Sequence, residues 1–187
     1  YTADEFRQRV ALIRQYYEHP AVTTDVIAGF PGETEEDFDE SLAFVDEMQF
    51  FMLHIFPYSR RSGTRADRMD GHLTMAVKQE RASRLEKIDE ENSLKFTEYY
   101  TDREVEVLTE EIAAADGHKW LIGHTPEYIK VMIPYETAAA ALPETIGVNC
   151  DDDAADGNIL INRMVICRVG RRLEKDTVVS DGAVIFA

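Results

Sequence analysis

Two segments that each join a strand-like run to a glycine-containing loop constrain the fold of this chain most. In the first, a β-branched run at 22–27 precedes a Gly-Phe-Pro-Gly loop at 29–32, and a helix is predicted to start near Thr34. In the second, an apolar run at 51–58 precedes a Ser-Arg-Arg-Ser-Gly-Thr loop at 59–64. Such loops suit backbone contact with a ligand, because glycine permits positive φ and a helix start exposes free N–H groups. Consecutive strands of this kind are typical of an α/β barrel.

The helices predicted around these strands complete an α/β pattern. A capping box at Thr2 and Glu5 starts the first helix, which ends before Pro20. Thr34 starts the second helix, and a third is predicted at 74–99. Alternating helices and strands imply a parallel sheet, but two strands cannot close a barrel. The first 100 residues are therefore predicted to be part of one.

Beyond residue 100 the pattern changes to short β-rich runs. These runs cover 104–111, 119–123, 128–133, 160–169 and 178–186. Turn signals at Asp116-Gly117 and Asp156-Gly157 separate some of them, as in a small antiparallel barrel. We expect 138–141 to form a loop and Trp120 to lie in the core.

Both halves resemble one known family. The sequences at 25–34 and 56–66 resemble the late barrel strands of radical S-adenosylmethionine (SAM) methylthiotransferases. The sequence at 120–131 is similar to the central strands of the TRAM domain, a small β-barrel associated with RNA binding. The resemblance implies that residues 1–100 are the C-terminal part of a radical SAM (TIM-like) barrel, and that 101–187 form an antiparallel TRAM β-barrel.

Within this family, the loop after the second strand is similar to the tRNA-modifying branches. Those branches carry Arg at the position of Arg61, whereas the branch that acts on a ribosomal protein carries an acidic residue. Pro57 and the Arg60-Arg61 pair most resemble the branch that methylthiolates threonylcarbamoyladenosine beside the anticodon. The implied partner is the anticodon region of tRNA, and the implied cofactors of the intact enzyme are SAM and 4Fe-4S clusters.

The cysteine content bears on that chemistry. A radical SAM cluster needs three thiolates at Cys-x-x-x-Cys-x-x-Cys spacing, and the chain has only Cys150 and Cys167. The five histidines show no metal-ligand spacing either. We therefore assign no catalytic or metal-binding residue, and expect the chain to be an inactive C-terminal portion whose partner is the missing N-terminal part of the same polypeptide. Its first residue, Tyr1, is not Met, which agrees with that expectation.

The resemblance also implies which residues contact SAM. These are Ile27, Gly29, Phe30, Phe56, Pro57, Tyr58 and Ser59. The alternative for the first loop is a purely structural turn. Glu33 precedes a helix start, where a carboxylate is typically a dipole partner or hydrogen-bond anchor.

A second group of residues is predicted to contact RNA. These are Arg60, Arg61, Arg65, His124, Thr125, Tyr128 and Lys130. Cations beside aromatic rings can neutralise phosphates and stack on bases. The alternatives are a salt bridge of Arg61 within its own loop, and a turn shaped by Gly123 and His124.

The net charge of −16 opposes broad RNA binding, but it is unevenly distributed. Six acidic residues lie at 33–40 and four at 151–156, where a helix start and a solvated loop account for them. No signal peptide or apolar run of membrane length is visible, and cysteine is scarce, so we expect a cytoplasmic protein without membrane contact.

Three other functions fit parts of the sequence. The chain could be an RNA-binding module with a degenerate barrel, or a fragment of a ribosomal-protein methylthiotransferase. Glycine loops of this kind also occur in porphyrin-oxidising radical SAM enzymes, but the Gly-His-Thr-Pro-Glu-Tyr segment at 123–128 argues against that family.

Overall fold

The computed structural model describes residues 1–141, 159–181 and 184–186. It divides the chain into two compact units, Tyr1–Ser93 and Leu94–Ala187. The first unit is α/β with parallel strands, and the second is a mostly antiparallel, ring-like sheet.

Two helices of the first unit begin at the capping boxes that the sequence predicts. Helix α1 (Ala3–Tyr16) follows Thr2, whose hydroxyl accepts the N–H of Glu5 at 3.2 Å while the Glu5 carboxylate accepts the N–H of Thr2 at 2.7 Å. Helix α2 (Glu35–Met48) begins in the same way, with Thr34 and Asp37 as partners. Each box satisfies two N–H groups that a helix start otherwise leaves free.

Strands β1 (Thr23–Ala28) and β2 (Met52–Pro57) are parallel and pair over their whole length. One face of this pair packs on the helices. Its core consists of Val10, Ala28, Phe38, Val45, Met48, Phe50, Leu53, Ala82 and Leu85. The opposite face is exposed and carries Asp25 and Ile27 beside His54 and Phe56, since alternate residues of a strand share a face.

Helix α3 (Met75–Glu98) corresponds to the third predicted helix, and one of its side chains is hydrogen-bonded to β2. The buried carboxylate of Asp89 accepts the N–H of Leu53 at 2.8 Å. A helix side chain thus satisfies a strand N–H that would otherwise be available to a further strand.

Beyond helix α3, the described residues of the second unit form six strands and a short helix. They are β3 (Glu104–Ala115), β4 (His118–His124), β5 (Lys130–Pro134), α4 (Tyr135–Ala140), β6 (Met164–Glu174), β7 (Thr177–Ser180) and β8 (Ile185–Phe186). The pairing order β3-β4-β5-β7-β6 returns to β3 and closes a ring, with β8 added along β6. The five β-rich runs predicted from the sequence all contribute strands.

Some details differ from the expectations. Strands β5 and β7 pair in parallel, so the ring is not wholly antiparallel. The prediction of a loop at 138–141 is wrong for 138–140. These alanines continue helix α4, because alanine favours helix. Trp120 is half-buried rather than a full core residue. The predicted turn at Asp116-Gly117 is confirmed, with φ values of 51° and 75°, whereas Asp156-Gly157 lies outside the described residues.

The ring is fastened at a bulge in β3. Thr109 is fully buried, and its hydroxyl lies 2.6 Å from the carbonyl oxygen of Leu160 and 3.0 Å from that of Arg163. The same hydroxyl accepts the N–H of Arg163 at 2.9 Å, and the Thr109 carbonyl accepts the N–H of Asn162 at 2.7 Å. One side chain therefore ties β3 to the segment that leads into β6.

We predict that Thr109→Val destabilises the second unit by about 1–3 kcal/mol, because the nearly isosteric valine leaves buried backbone groups without partners. Urea unfolding monitored by circular dichroism measures the loss. Thr101→Val, at an exposed position, is the control and leaves the midpoint nearly unchanged. Equal midpoints for the two variants would contradict the role of the Thr109 hydroxyl.

Candidate ligand and nucleic-acid sites

A cavity of about 510 Å³ opens where β1 and β2 end. It is lined by Asp25, Ile27, Phe56, Pro57, Tyr58, Ser59, Arg61, Thr64 and Ala66. Five of the seven residues predicted to contact SAM line it together. The other two, Gly29 and Phe30, belong to the adjoining loop and are absent from the lining.

The lining offers apolar surface beside two charges. Ile27 and Phe56 are register partners, and each exposes about half of its area, 53% and 52%. Large apolar side chains left exposed on neighbouring strands suit a flat apolar ligand group. Asp25 supplies hydrogen-bond acceptors and Arg61 supplies donors, so the cavity also suits a ligand with polar substituents.

Both the backbone conformation and the surroundings of Gly29 require glycine at this position. Its φ is +75°, and a Cβ built there would lie 2.5 Å from Cγ of Lys78. The space beside Gly29 is thus filled by a helix α3 side chain. Any side chain at this position would meet both a strained backbone and a clash.

Glu33 is the hydrogen-bond anchor that the sequence predicts. Its carboxylate accepts the N–H of Gly29 at 2.9 Å and pairs with the guanidinium of Arg81. Arg81, only 3% exposed, also donates to the Glu33 carbonyl at 3.2 Å and to the Glu35 carboxylate at 3.1 Å. The loop between β1 and α2 is therefore fixed to helix α3.

The arginines of the second loop differ in their surroundings. Arg60 pairs with Asp67 at 2.5 Å, and Asp67 also accepts the N–H of Gly63 at 3.2 Å. These hydrogen bonds lower the pKa of Asp67. The intraloop salt bridge considered for Arg61 is thus made by Arg60, whereas Arg61 lines the cavity and Arg65 is exposed.

In the second unit, three of the predicted RNA contacts lie together. The rings of His124 and Tyr128 stack with centroids 4.7 Å apart and planes 19° from parallel, and Tyr128 is 69% exposed. Lys130 is the register partner of His124 on β5. His124 Nδ1 lies 2.9 Å from a carboxylate oxygen of Glu110, which holds the imidazole in the stack.

Gly123 and Thr125 have structural roles in this segment. A Cβ at Gly123 would lie 2.1 Å from the Leu108 carbonyl oxygen, so glycine allows β3 and β4 to approach. Thr125 is buried, its N–H donates to the Ile129 carbonyl at 3.0 Å, and its hydroxyl accepts the N–H of Ile129 at 3.3 Å. The Thr125 side chain therefore shapes the turn and does not present a surface for RNA.

Sequence reasoning missed Lys78, Arg81, Asp25 and Glu110. Arg81 keeps the helical period with Val77, Leu85 and Ile88, and Lys78 lies three residues before it, but charged side chains in a charge-rich helix are typical of a solvated face. The partners of Lys78 and Arg81 lie in loops 20 or more residues away along the chain, which the helical pattern does not indicate.

Histidine, cysteine and acidic side chains, which are common metal ligands, occur in the part of the chain that the structure describes. No group of three or more His, Cys, Asp or Glu residues there is arranged to hold a metal ion.

Burial raises the pKa of the Cys167 thiol to about 11, so this side chain is a neutral thiol at pH 7. Within the described residues, no helix combines the length and apolar character needed to span a membrane.

Comparison with known proteins identifies relatives. No family model matches the chain. It is 38% identical over 133 residues to the threonylcarbamoyladenosine tRNA methylthiotransferase MtaB of Bacillus subtilis, covering 71% of this chain and 30% of that protein. It is 44% identical over 123 residues to the tRNA-2-methylthio-N(6)-dimethylallyladenosine synthase of Thermobifida fusca, covering 64% of this chain and 24% of that protein. The same enzyme of Moorella thermoacetica is 41% identical over 134 residues, covering 72% and 30%.

These identities extend over most of the chain but over less than a third of each relative. The chain is therefore homologous to the tRNA methylthiotransferase family, and it spans 24 to 30% of the length of these relatives.

Proposed function

We propose that this chain is the C-terminal portion of a radical SAM tRNA methylthiotransferase. The first unit supplies the last strands of a partial barrel, and the second is a TRAM domain that contacts tRNA. The observation that carries the proposal is the cavity at the carboxyl ends of β1 and β2, formed by the two loops that the sequence singles out. The substrates named for the relatives above, modified adenosines of tRNA, define the substrate class.

The cavity residues fit the adenosyl part of SAM. A volume of 510 Å³ is within the roughly 300–1,000 Å³ of small-molecule sites, and its walls are mainly apolar. Ile27 and Phe56 would contact the base, and Asp25 would accept hydrogen bonds from amino or hydroxyl groups. In the intact enzyme, one SAM reduced by an electron from a cluster would supply the 5′-deoxyadenosyl radical and a second SAM would supply the methyl group; the residues of this chain would bind and orient SAM.

The 4Fe-4S clusters do not fit this chain. Cys167 is buried with a raised pKa, and Cys150 is the one other cysteine in the sequence. The cluster ligands would belong to the remainder of the polypeptide.

The stack of Tyr128 on His124 supports RNA contact by the second unit. An exposed aromatic ring held flat by a second ring is a preformed platform for an unstacked base, and Lys130 adds a cation beside it. Because the chain carries a net charge of −16, this contact is local, weak and sensitive to salt.

We predict that the purified 187-residue chain stays colourless after anaerobic reconstitution with iron and sulfide, and forms no 5′-deoxyadenosine from SAM, because its two cysteines cannot ligate a cluster. Absorbance spectra, iron analysis and chromatography of the products check this. Stoichiometric iron with a charge-transfer band would contradict it.

In the full-length protein, Phe56→Ala is predicted to weaken SAM binding three- to tenfold, about 1 kcal/mol, because it removes an aromatic wall of the cavity. Equilibrium dialysis measures the dissociation constant. His54→Ala is the matched control, since His54 lies on the same sheet face but outside the cavity lining. Unchanged binding by the Phe56 variant would show that SAM does not occupy this cavity.

For tRNA, we predict that Tyr128→Ala weakens binding at least fivefold, because base stacking contributes about 1–3 kcal/mol per base. Tyr16→Ala, at an exposed tyrosine of α1, is the control. Lys130→Glu is likewise expected to weaken binding more than Lys87→Glu on the exposed side of α3. Filter binding at two salt concentrations measures all four variants. Equal losses for the two lysine variants would indicate general repulsion rather than a site, and equal affinities of the two tyrosine variants would contradict stacking on Tyr128.

The same measurements separate this function from a stand-alone RNA-binding module. If the protein is a stand-alone RNA-binding module, it binds tRNA through Tyr128 but does not bind SAM. Loss of SAM binding on Phe56→Ala is expected only for the enzyme.

A further inference from the structure

We infer that Lys78 and Arg81 of helix α3 are positioning residues that hold the two strand-end loops at the spacing the ligand requires. The inference rests on the proposed binding of an adenosyl ligand in the cavity between those loops. Neither side chain lines the cavity, so each acts through other residues.

Lys78 contacts both loops at once. Its ammonium donates to the Tyr58 carbonyl at 3.0 Å and lies 4.9 Å from the centre of the Tyr58 ring. Its aliphatic stem fills the space beside Gly29, at 2.5 Å from the position of a Cβ there. Tyr58 lines the cavity, so its backbone position depends on Lys78.

Arg81 follows Lys78 by three residues, which puts both side chains on one face of the helix. It binds the carboxylate and the carbonyl of Glu33, and Glu33 in turn accepts the N–H of Gly29. The first loop is thus held at two points by consecutive turns of α3. Phe30 of that loop packs edge-on against Tyr58, with centroids 5.3 Å apart, and links the two loops directly.

Stability alone does not account for a lysine at this position. Lys78 is 6% exposed, and burying an ammonium group is unfavourable unless its partners compensate fully. A carbonyl and a ring face are neutral partners, and a methionine of similar length would fill the same space without that penalty. The ammonium contributes a directional hydrogen bond to the Tyr58 carbonyl, which fixes the end of β2 relative to Gly29.

The test compares Lys78→Met with Lys87→Met in the full-length protein, using SAM as the probe. Lys87 is an exposed lysine of the same helix. We expect Lys78→Met to raise the dissociation constant and the KM for SAM at least fivefold, with kcat within twofold and the melting temperature not lowered. Lys87→Met is expected to match the wild type in every measurement.

Hydrogen–deuterium exchange provides a readout that does not need the ligand. In the Lys78→Met protein, the peptides covering 28–34 and 57–61 should exchange faster than in the wild type, while a peptide from helix α1 is unchanged. Arg81→Lys, which keeps the charge but loses the fork, should accelerate exchange at 28–34 more than at 57–61.

The outcomes distinguish the inference from the function on which it rests. Wild-type protein that does not bind SAM overturns the proposed function, and exchange then still tests the contacts of Lys78. Wild-type binding with equal affinity in the Lys78→Met protein overturns the positioning role. If Lys78→Met and a second variant, Lys78→Gln, both fail to fold while Lys87→Met folds, Lys78 is a stability residue and the inference is wrong.

Discussion

The loop between β1 and α2, which adjoins the cavity, depends on the ion pair between Glu33 and Arg81. The Glu33 carboxylate closes its own loop by accepting the N–H of Gly29, and it binds that loop to helix α3 through Arg81. Because Arg81 is nearly fully buried, removal of Glu33 would leave its guanidinium with the more exposed Glu35 carboxylate as ionic partner, and removal of Arg81 would leave the Glu33 carboxylate without this ion pair. The position of Gly29, in the loop that adjoins the cavity, therefore depends on this ion pair.

The second unit differs from the first, since its sheet closes into a ring. It does so with strands that change partners at bulges and with a buried threonine that fastens β3 to the start of β6. The surface of this ring is then free to carry a solvent-facing stack of His124 and Tyr128. Gly123 and Thr125 shape this segment, while their neighbours His124 and Tyr128 form the stack.

Local chemistry made much of the fold predictable. Capping boxes, β-branched runs and an Asp-Gly turn each act over a few residues, and the structure has all of them where the sequence indicates. Pairing of β5 with β7 could not be foreseen, because strand order depends on contacts distant in sequence. The same holds for the contacts of Lys78 and Arg81, whose partners lie in loops distant in sequence. The alanines at 138–140, expected in a loop, belong to helix α4, because alanine has the highest helix propensity.

The uncovered face of β1 and β2 has a consequence for the behaviour of this chain in solution. Ile27 and Phe56 are half-exposed beside each other, which is the kind of patch through which copies of a protein adhere. A net charge of −16 opposes such contact by mutual repulsion between copies. Added salt shortens the range of that repulsion. The negative charge therefore protects the chain from self-association less well as the ionic strength rises.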